Sequence, residues 1–290
     1  MLVSQILPAA FEILSFASVV MLVVLGMGLI ASMMGVFNFA QGEFVLLGAY
    51  VTWLVHSSGA PVWLGMLAAP LAVGAAGWVV EALVVRRLYA APIVAMLATY
   101  ALGLVLREGV RCLIGGQYLA VPAPVQGTVD LAGASLSTWR LVVIAVTMVA
   151  MLACSWLVTK TRFGLKVRAS LENPALARAS GIATSRVYAA TFAFGSALAG
   201  LAGALLVPTF SLHADLGLRF LIQGFVAVMT GGAGSFAGTV AGGAVIGGLS
   251  AGLPWLMSPV IADVLVFVLA ILFVRAVSGG LATFFPRKGA

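Results

Sequence analysis

The long apolar runs of this chain decide what it can fold into. Residues 16–34 and 141–158 are nearly unbroken apolar stretches, and others of similar length follow. A helix crossing a bilayer needs about 20 predominantly apolar residues. Strands of a membrane barrel would instead alternate apolar and polar positions over about ten residues. Only 8% of the 290 residues are charged, and the mean hydropathy is +1.19. Soluble domains carry roughly 25% charged residues, so a water-soluble surface cannot be assembled here. Backbone polar groups in hydrocarbon need internal partners, which leaves an all-α, polytopic transmembrane helix bundle.

Spans are expected near 11–34, 38–58, 61–85, 92–110, 139–159, 187–208 and 259–277. Region 219–253 holds enough apolar residues for two short crossings, but its centre is so rich in glycine that a broken or re-entrant pair fits equally. The total is then about eight or nine spans in one transmembrane domain, 1–290. The first eleven residues lack Lys and Arg, so no cleavable signal peptide is expected. Net charge is +7. In a soluble protein that would suggest nucleic acid. Here the basic residues sit in loops, as the positive-inside rule requires, and no nucleic-acid partner is expected.

Those loops set the orientation. Arg86 and Arg87 mark one cytoplasmic turn. Segment 160–186 holds six basic residues and one acid, and Arg275, Arg287 and Lys288 place the C-terminus inside. Residues 111–138 then face outside as an irregular loop with Pro122, Pro124 and Gly127. The N-terminus faces outside too, and the 34–38 junction lies near the cytoplasmic surface. Arg107, Glu108 and Arg111 bunch at the outer end of a span and read as an ion-paired cluster snorkelling to the interface.

Catalytic and metal chemistry find little support. The two histidines, His56 and His213, are isolated, and Cys112 and Cys154 lack metal-ligand spacing. There is no His-Glu-x-x-His, no Gly-x-Ser-x-Gly and no G-x-x-x-x-G-K-[ST] phosphate loop. No cofactor or metal is expected, and ATP cannot be hydrolysed by a P-loop route on this chain alone. The spanning acids Glu12, Glu81 and Asp263 have no partner at helical spacing, although Arg86 and Arg87 balance Glu81. An ion-coupled carrier usually needs intramembrane ionisable groups, and these are scarce. Glycine totals 34 residues, many at small-xxx-small spacing, such as Gly195–Ala199–Gly203. Such spacing suits close helix packing and equally suits faces that slide during gating.

Two short segments stand out. In "ENPALARASGI", Asn173-Pro174 is a helix start and Gly181 a stop, which predicts a short helix over about 174–180 in the cytoplasmic loop 160–186. It is either a topology anchor or a docking knob for a cytoplasmic partner. The other segment is "GVFNFAQGEF", residues 35–44, with Asn38, Gln41 and Glu43 hard against a span. As an interfacial feature, Asn38 caps the second span and Glu43 meets the helix dipole, only about 7 Å further on at ~1.5 Å per residue. As a functional feature, the same residues line or gate a path at the cytoplasmic mouth.

Three blocks resemble a known family. "GMGLIASMMGVFNFAQGEFVLLGAY" (26–50), "TRFGLKVRASLENPALARASGIATSRVYAATFAFGSALAGLAGALL" (161–206) and "MTGGAGSFAGTVAGGAVIGGL" (229–249) resemble, in order, blocks of the high-affinity branched-chain amino acid ABC permeases. Urea and short-amide permeases share them. The resemblance implies one of two membrane subunits, favouring a heterodimer, in an ATP-driven importer of the bacterial inner membrane. Two cytoplasmic ATP-binding subunits would hydrolyse ATP, and a periplasmic binding protein would deliver a branched-chain amino acid. Asn173, Pro174, Ala177 and Gly181 would form the helix that couples to an ATPase, and Asn38, Gln41 and Glu43 would belong to the translocation path or gate. Two departures exist. Gln41 stands where the family pattern often has His, which removes a titratable group. The coupling segment carries only a loose version of the importer "EAA" pattern. Outside this family, the competing reading is a stand-alone, ion-coupled secondary transporter.

Overall fold

Apolar length makes the helices, and proline starts several of them. The computed structural model describes residues 2–131, 134–232, 234–277 and 279–284. Its helices are α1 (Leu2–Met34), α2 (Gln41–Ser57), α3 (Val62–Leu83), α4 (Pro92–Ile114), α5 (Thr138–Lys160), α6 (Arg162–Glu172), α7 (Pro174–Ala179), α8 (Thr184–Leu206), α9 (Leu216–Gly231), α10 (Phe236–Gly252) and α11 (Pro259–Ala276). Pro92, Pro174 and Pro259 occupy first-turn positions, where the missing N–H costs nothing. Among the described residues, seven helices are long and apolar enough to cross a membrane: α1, α3, α4, α5, α8, α10 and α11. α2 and α9 are shorter. The architecture is the expected all-α polytopic bundle.

Two stretches are more ordered than the sequence suggested. The loop 111–138 carries a short antiparallel hairpin, β1 (Thr128–Leu131) with β2 (Ala134–Ser137), in which Val129 pairs with Leu136. Loop 160–186 holds two helices rather than one. α6 is amphipathic and buries Gly164, Val167 and Ser170 at a spacing of three, a period that is visible in "RFGLKVRASLE".

Region 219–253 is a helical hairpin, α9 and α10, packed by glycine. A Cβ at Gly231 would run into the Gly238 carbonyl, and one at Gly242 into the Ala227 carbonyl. The next positions round the helix, Gly243 and Gly247, admit Val24 and Ala17 of α1. Two glycine pairs at i,i+4 thus serve two different neighbours, the close-approach use of small residues.

α8 is the hub. Gly195 faces Gly26 and Ile30 of α1, Gly200 faces Ala69 and Val73 of α3, and Gly203 faces the Val45 backbone of α2. Ala193 and Ala197 lie against Gly74 of α3.

The basic loops gather at one end of the bundle. Leu29 and Met33 near the end of α1, Val158 of α5, Val167 of α6 and Val187 of α8 form one buried cluster, with Phe236 of α10 against it. The Tyr89 ring, beside Arg86 and Arg87, packs on Tyr188 of α8 at 5.1 Å. Gly280, just beyond α11 and its Arg275, abuts the Thr230 carbonyl at the end of α9. Arg287 and Lys288 lie outside the described residues.

These contacts separate glycines that pack from glycines that do not. Gly203→Val should cost at least about 1–3 kcal/mol, the usual penalty of overpacking. It would be read as a lower melting temperature and a lower monodisperse yield in detergent. Gly109→Ala, where nothing lies within 4 Å, should stay within about 0.5 kcal/mol of the parent. Equal stability of the two variants would refute the packing assignment.

Candidate functional site

The polar residues at the start of α2 form a buried knot in the middle of the bundle. α1 ends at Gly35, whose φ of 69° favours glycine. The following non-helical backbone turns back among the helices. The Phe39 N–H donates to Thr99 Oγ1 of α4 at 3.1 Å. The rings of Phe37 and Phe39 each lie 5.4 Å from that of Phe225 on α9. Gln41 Nε2 donates to the Gly195 carbonyl at 3.1 Å, at the midpoint of α8. A Cβ on Gly103, the central residue of α4, would sit 3.3 Å from Glu43 Cγ. α2 therefore begins level with the middles of α4 and α8. This corrects the expectation that Asn38, Gln41 and Glu43 lie at a membrane surface: Asn38 and Gln41 are 0% exposed and Glu43 1%, whereas Gly35, exposed and beside Leu171 of α6, stays at the basic end as expected.

Each side chain has a defined task. Asn38 does not cap α2; the N-cap residue is Ala40, which offers no side-chain bond. Instead Asn38 Oδ1 accepts the Ala40 N–H at 3.0 Å, and its Nδ2 donates to Gln41 Oε1 at 3.1 Å. This is the local Asx geometry that satisfies a turn. The Gln41 amide is used at both ends, as acceptor from Asn38 and donor to Gly195. A neutral imidazole also offers one acceptor and one donor, so Gln41 supplies the same valence without a titratable group.

Glu43 forms an ion pair with Arg107 of α4. Arg107 thus turns into the bundle rather than snorkelling outward with Glu108, while Arg111 bonds Glu108 at 3.2 Å and Asp215 at 2.8 Å. Glu43 Oε2 and Arg107 Nε have no hydrogen-bond partner and are buried. Position at the first turn of α2 adds the helix dipole to the stabilisation of the carboxylate. Small residues create the room: Gly42 sits against the Gly217 carbonyl of α9, and Gly103 faces Glu43. Sequence reasoning missed Arg107, Thr99 and Gly195. Two of them were signalled, because Ala95, Thr99, Gly103 and Arg107 form the buried stripe of α4 at every fourth residue.

The three other spanning acids also find partners, two of them from helices distant in sequence. Glu12 meets Arg140 at 2.9 Å and Asp263 meets Arg219 at 3.4 Å. Glu81 pairs with Arg86 at 2.9 Å, as expected, and additionally accepts the Tyr89 hydroxyl. Burial first, then the Glu81 carboxylate, raises the Tyr89 hydroxyl above the ordinary phenol range.

The second predicted group lies apart from the knot, at the basic end. Asn173 Oδ1 accepts the Leu176 N–H at 3.0 Å, and Pro174 opens α7. Gly181 has a φ of 81°, and the Ile182 N–H returns to the Ala177 carbonyl at 3.0 Å. These bonds close a compact knob in which Ala177 is buried while Leu176 is 63% exposed. Behind it, Tyr188 of α8 donates to the Ser170 carbonyl of α6 at 2.6 Å. A cleft of about 1990 Å³ also opens at this end. Met21, Met33, Met151 and Met229 are among its lining residues; Asn38, Gln41 and Glu43 are not. Among the described residues no cluster of His, Cys, Asp or Glu could hold a metal ion.

The knot makes a stability prediction. Removing one member of a buried ion pair strands the other, at a cost of roughly 3–5 kcal/mol. Arg107→Met should therefore melt well below the parent in detergent. The double variant Arg107→Met with Glu43→Gln should recover more than half of the loss. Independent, additive effects would show that the pair does not couple α2 to α4.

Comparison with known proteins agrees with this architecture. A family model described as the permease component of branched-chain amino acid transport systems matches residues 9–274. The high-affinity branched-chain amino acid transport system permease protein LivH of Salmonella typhimurium is 28% identical over 287 residues, covering 93% of each chain. LivH of Escherichia coli K12 is equally similar over the same extent. The corresponding permease BraD of Pseudomonas aeruginosa is 26% identical over 250 residues, 81% of each chain. No solved structure matches. A matched family model spanning almost the whole chain, on a multi-pass helical bundle of this kind, places the protein in the branched-chain amino acid transport permease family.

Proposed function

We propose that this chain is one of two membrane subunits, most simply of a heterodimer, in an ATP-driven importer of hydrophobic, branched-chain amino acids in a bacterial inner membrane. Two cytoplasmic ATP-binding subunits supply the nucleotide chemistry, and a periplasmic protein delivers the substrate. The whole chain, 1–290, works as a single permease domain.

The observation that carries this reading is the α7 knob. A six-residue helix fixed at both ends, by the Asn173 cap and by the Gly181 turn, is too ordered to serve only as a charge anchor. It presents Leu176 to solvent at the most basic end of the molecule. In the proposed role it seats in a groove of an ATP-binding subunit, with Pro174 and Asn173 fixing its start, Ala177 anchoring its inner side and Gly181 its exit. By the positive-inside rule that end is cytoplasmic, which puts the C-terminus inside and the N-terminus outside.

In the same reading Asn38, Gln41 and Glu43 act as an internal gate rather than as a lining of the open cleft. A buried, half-satisfied ion pair is weak evidence for stability, and its best-attested use is to specify one of several arrangements. Glu43–Arg107 joins α2 to α4, and Gln41 joins α2 to α8. Breaking and remaking those bonds gives α2 two discrete positions for a transport cycle to use.

Two outcomes are expected. Gly181→Glu or Ala177→Glu should leave insertion intact, preserve ATP hydrolysis by the assembled complex and reduce amino acid uptake in proteoliposomes by at least tenfold. Uptake at the parental rate would remove α7 from the coupling role. Separately, Asn38→Ala and Glu43→Ala should assemble yet slow ATP-driven uptake by about tenfold or more. If both variants transport normally, the knot is structural only.

A further inference from the structure

The end of the bundle opposite the basic loops holds a second cavity, of about 230 Å³, that no role so far explains. Its floor is aliphatic and buried: Val19 of α1, Val143 of α5, and Leu205 and Leu206 of α8. Its polar groups are of both signs. Glu12 of α1 and Arg140 of α5 share one contact at 2.9 Å. Arg219 of α9 lies with its guanidinium carbon 5.4 Å from the centre of the Phe16 ring and reaches Asp263 at 3.4 Å. Each guanidinium carries five N–H donors, and each spends one Nη2 on a carboxylate in these contacts. The Ser250 hydroxyl of α10 also lines the cavity; it is 2% exposed and has no hydrogen-bond partner. A helical serine normally returns its hydroxyl to the carbonyl four residues back, so an orphaned one beside a cavity is a donor kept for something else.

We propose that this cavity is a binding site for a free aliphatic α-amino acid. The aliphatic side chain rests on the Val143 and Leu206 floor. The α-carboxylate is held by Arg140, Arg219 and the Ser250 hydroxyl, and the α-ammonium by Glu12. A simple carboxylate would satisfy the arginines but would face Glu12 with like charge. A simple amine would satisfy Glu12 but would face two arginines. A zwitterion answers both. The cavity is smaller than the ~300–1,000 Å³ of drug-sized pockets, as suits one small metabolite. The choice of amino acid rests on the importer reading, in whose orientation this end faces the delivering protein.

Equilibrium binding of tritiated L-leucine to the purified complex in nanodiscs, without ATP and without a binding protein, tests the site. Saturable binding is expected, weakened at least tenfold by Val143→Phe, which fills the floor, and by Arg219→Gln, and about threefold or more by Ser250→Ala. Assembly of each variant is checked by size-exclusion chromatography, so that Ser250→Ala and Arg219→Gln still decide the matter if Val143→Phe does not fold. In competition, 4-methylpentanoate and 3-methylbutylamine should each be at least tenfold weaker than leucine. Absence of leucine binding, or binding indifferent to the three substitutions, overturns the site. Equal competition by 4-methylpentanoate overturns the zwitterion assignment, and equal competition by glycerophosphoethanolamine shows a lipid-headgroup site instead. The importer reading is judged separately by the ATP dependence of uptake, so either can fail while the other stands.

Discussion

The structure depends on one demand: the non-helical backbone that leads from the exposed Gly35 to Ala40, close to the middle of α8, needs hydrogen-bond partners within the protein as it goes deeper. Irregular backbone at such depth is tolerated only where protein surrounds it. Four N–H groups along it find such partners. The Gly35 N–H returns to Ala31 at 3.1 Å, Phe39 goes to the Thr99 hydroxyl, Ala40 to the Asn38 side chain, and Gln41 back to the Asn38 carbonyl at 3.3 Å. Much else follows from meeting that demand. α4 must present a hydroxyl at Thr99. Asn38 must be an amide, because it both accepts from the backbone and orients Gln41. With α2 starting so deep, its charged first turn needs a cation from a neighbouring helix, and Arg107 provides it.

Bringing polar groups to the centre also fixes where glycine is needed. Gly26 and Gly195 face each other across α1 and α8, and a methyl group at either would collide with the other's carbonyl or with Gln41. The Gln41–Gly195 hydrogen bond forms because those two helices approach so closely. Gly42 with Gly217 does the same for α2 and α9. In a lipid environment the hydrophobic effect does not drive helices together, so dense packing and internal hydrogen bonds supply the association. Polar knot and glycine faces are therefore two parts of one arrangement, and neither would hold without the other.

Much of this was legible along the chain. The spans of α1, α3, α4, α5, α8 and α11 followed from apolar length, whereas the expected span 38–58 is the shorter α2; α7 followed from the Asn173-Pro174 start and the Gly181 stop, because capping is local chemistry written in adjacent residues. The knot was legible in composition but not in depth. Asn38, Gln41 and Glu43 are compatible with an interface when helices are assumed to run from surface to surface, and only contacts with residues as distant as Gly195 reveal a helix that starts halfway. Arg107 was misread for the same reason: its neighbours Glu108 and Arg111 suggested a local cluster, whereas its partner lies 64 positions away. Glu12 and Asp263 looked unpartnered because Arg140 and Arg219 come from other helices. Local rules carry no information about which stripe faces which.

Charge is distributed in a way that joins the fold to its proposed work. In the half of the molecule away from the basic loops, Arg107, Arg111, Arg140 and Arg219 are each ion-paired. At the other end, Lys160, Arg162, Lys166 and Arg178 sit exposed in loop 160–186 with Glu172 as the segment's lone acid. Neutralised arginines put no net charge on the body that must share space with lipid and substrate, while unpaired ones leave a positive surface around α7. α8 connects the two regimes. It starts three residues after Gly181, gives the carbonyl of Gly195 to Gln41 at its midpoint, and ends at Leu205 and Leu206 beneath the opposite cavity. A helix packed by glycine along several faces has little freedom to bend and more to slide or turn as a rod. Motion imposed on α7 would therefore reach the Gln41 bond through α8 first, and the cheapest response open to the knot is for α2 to exchange its polar partners while the glycine contacts hold.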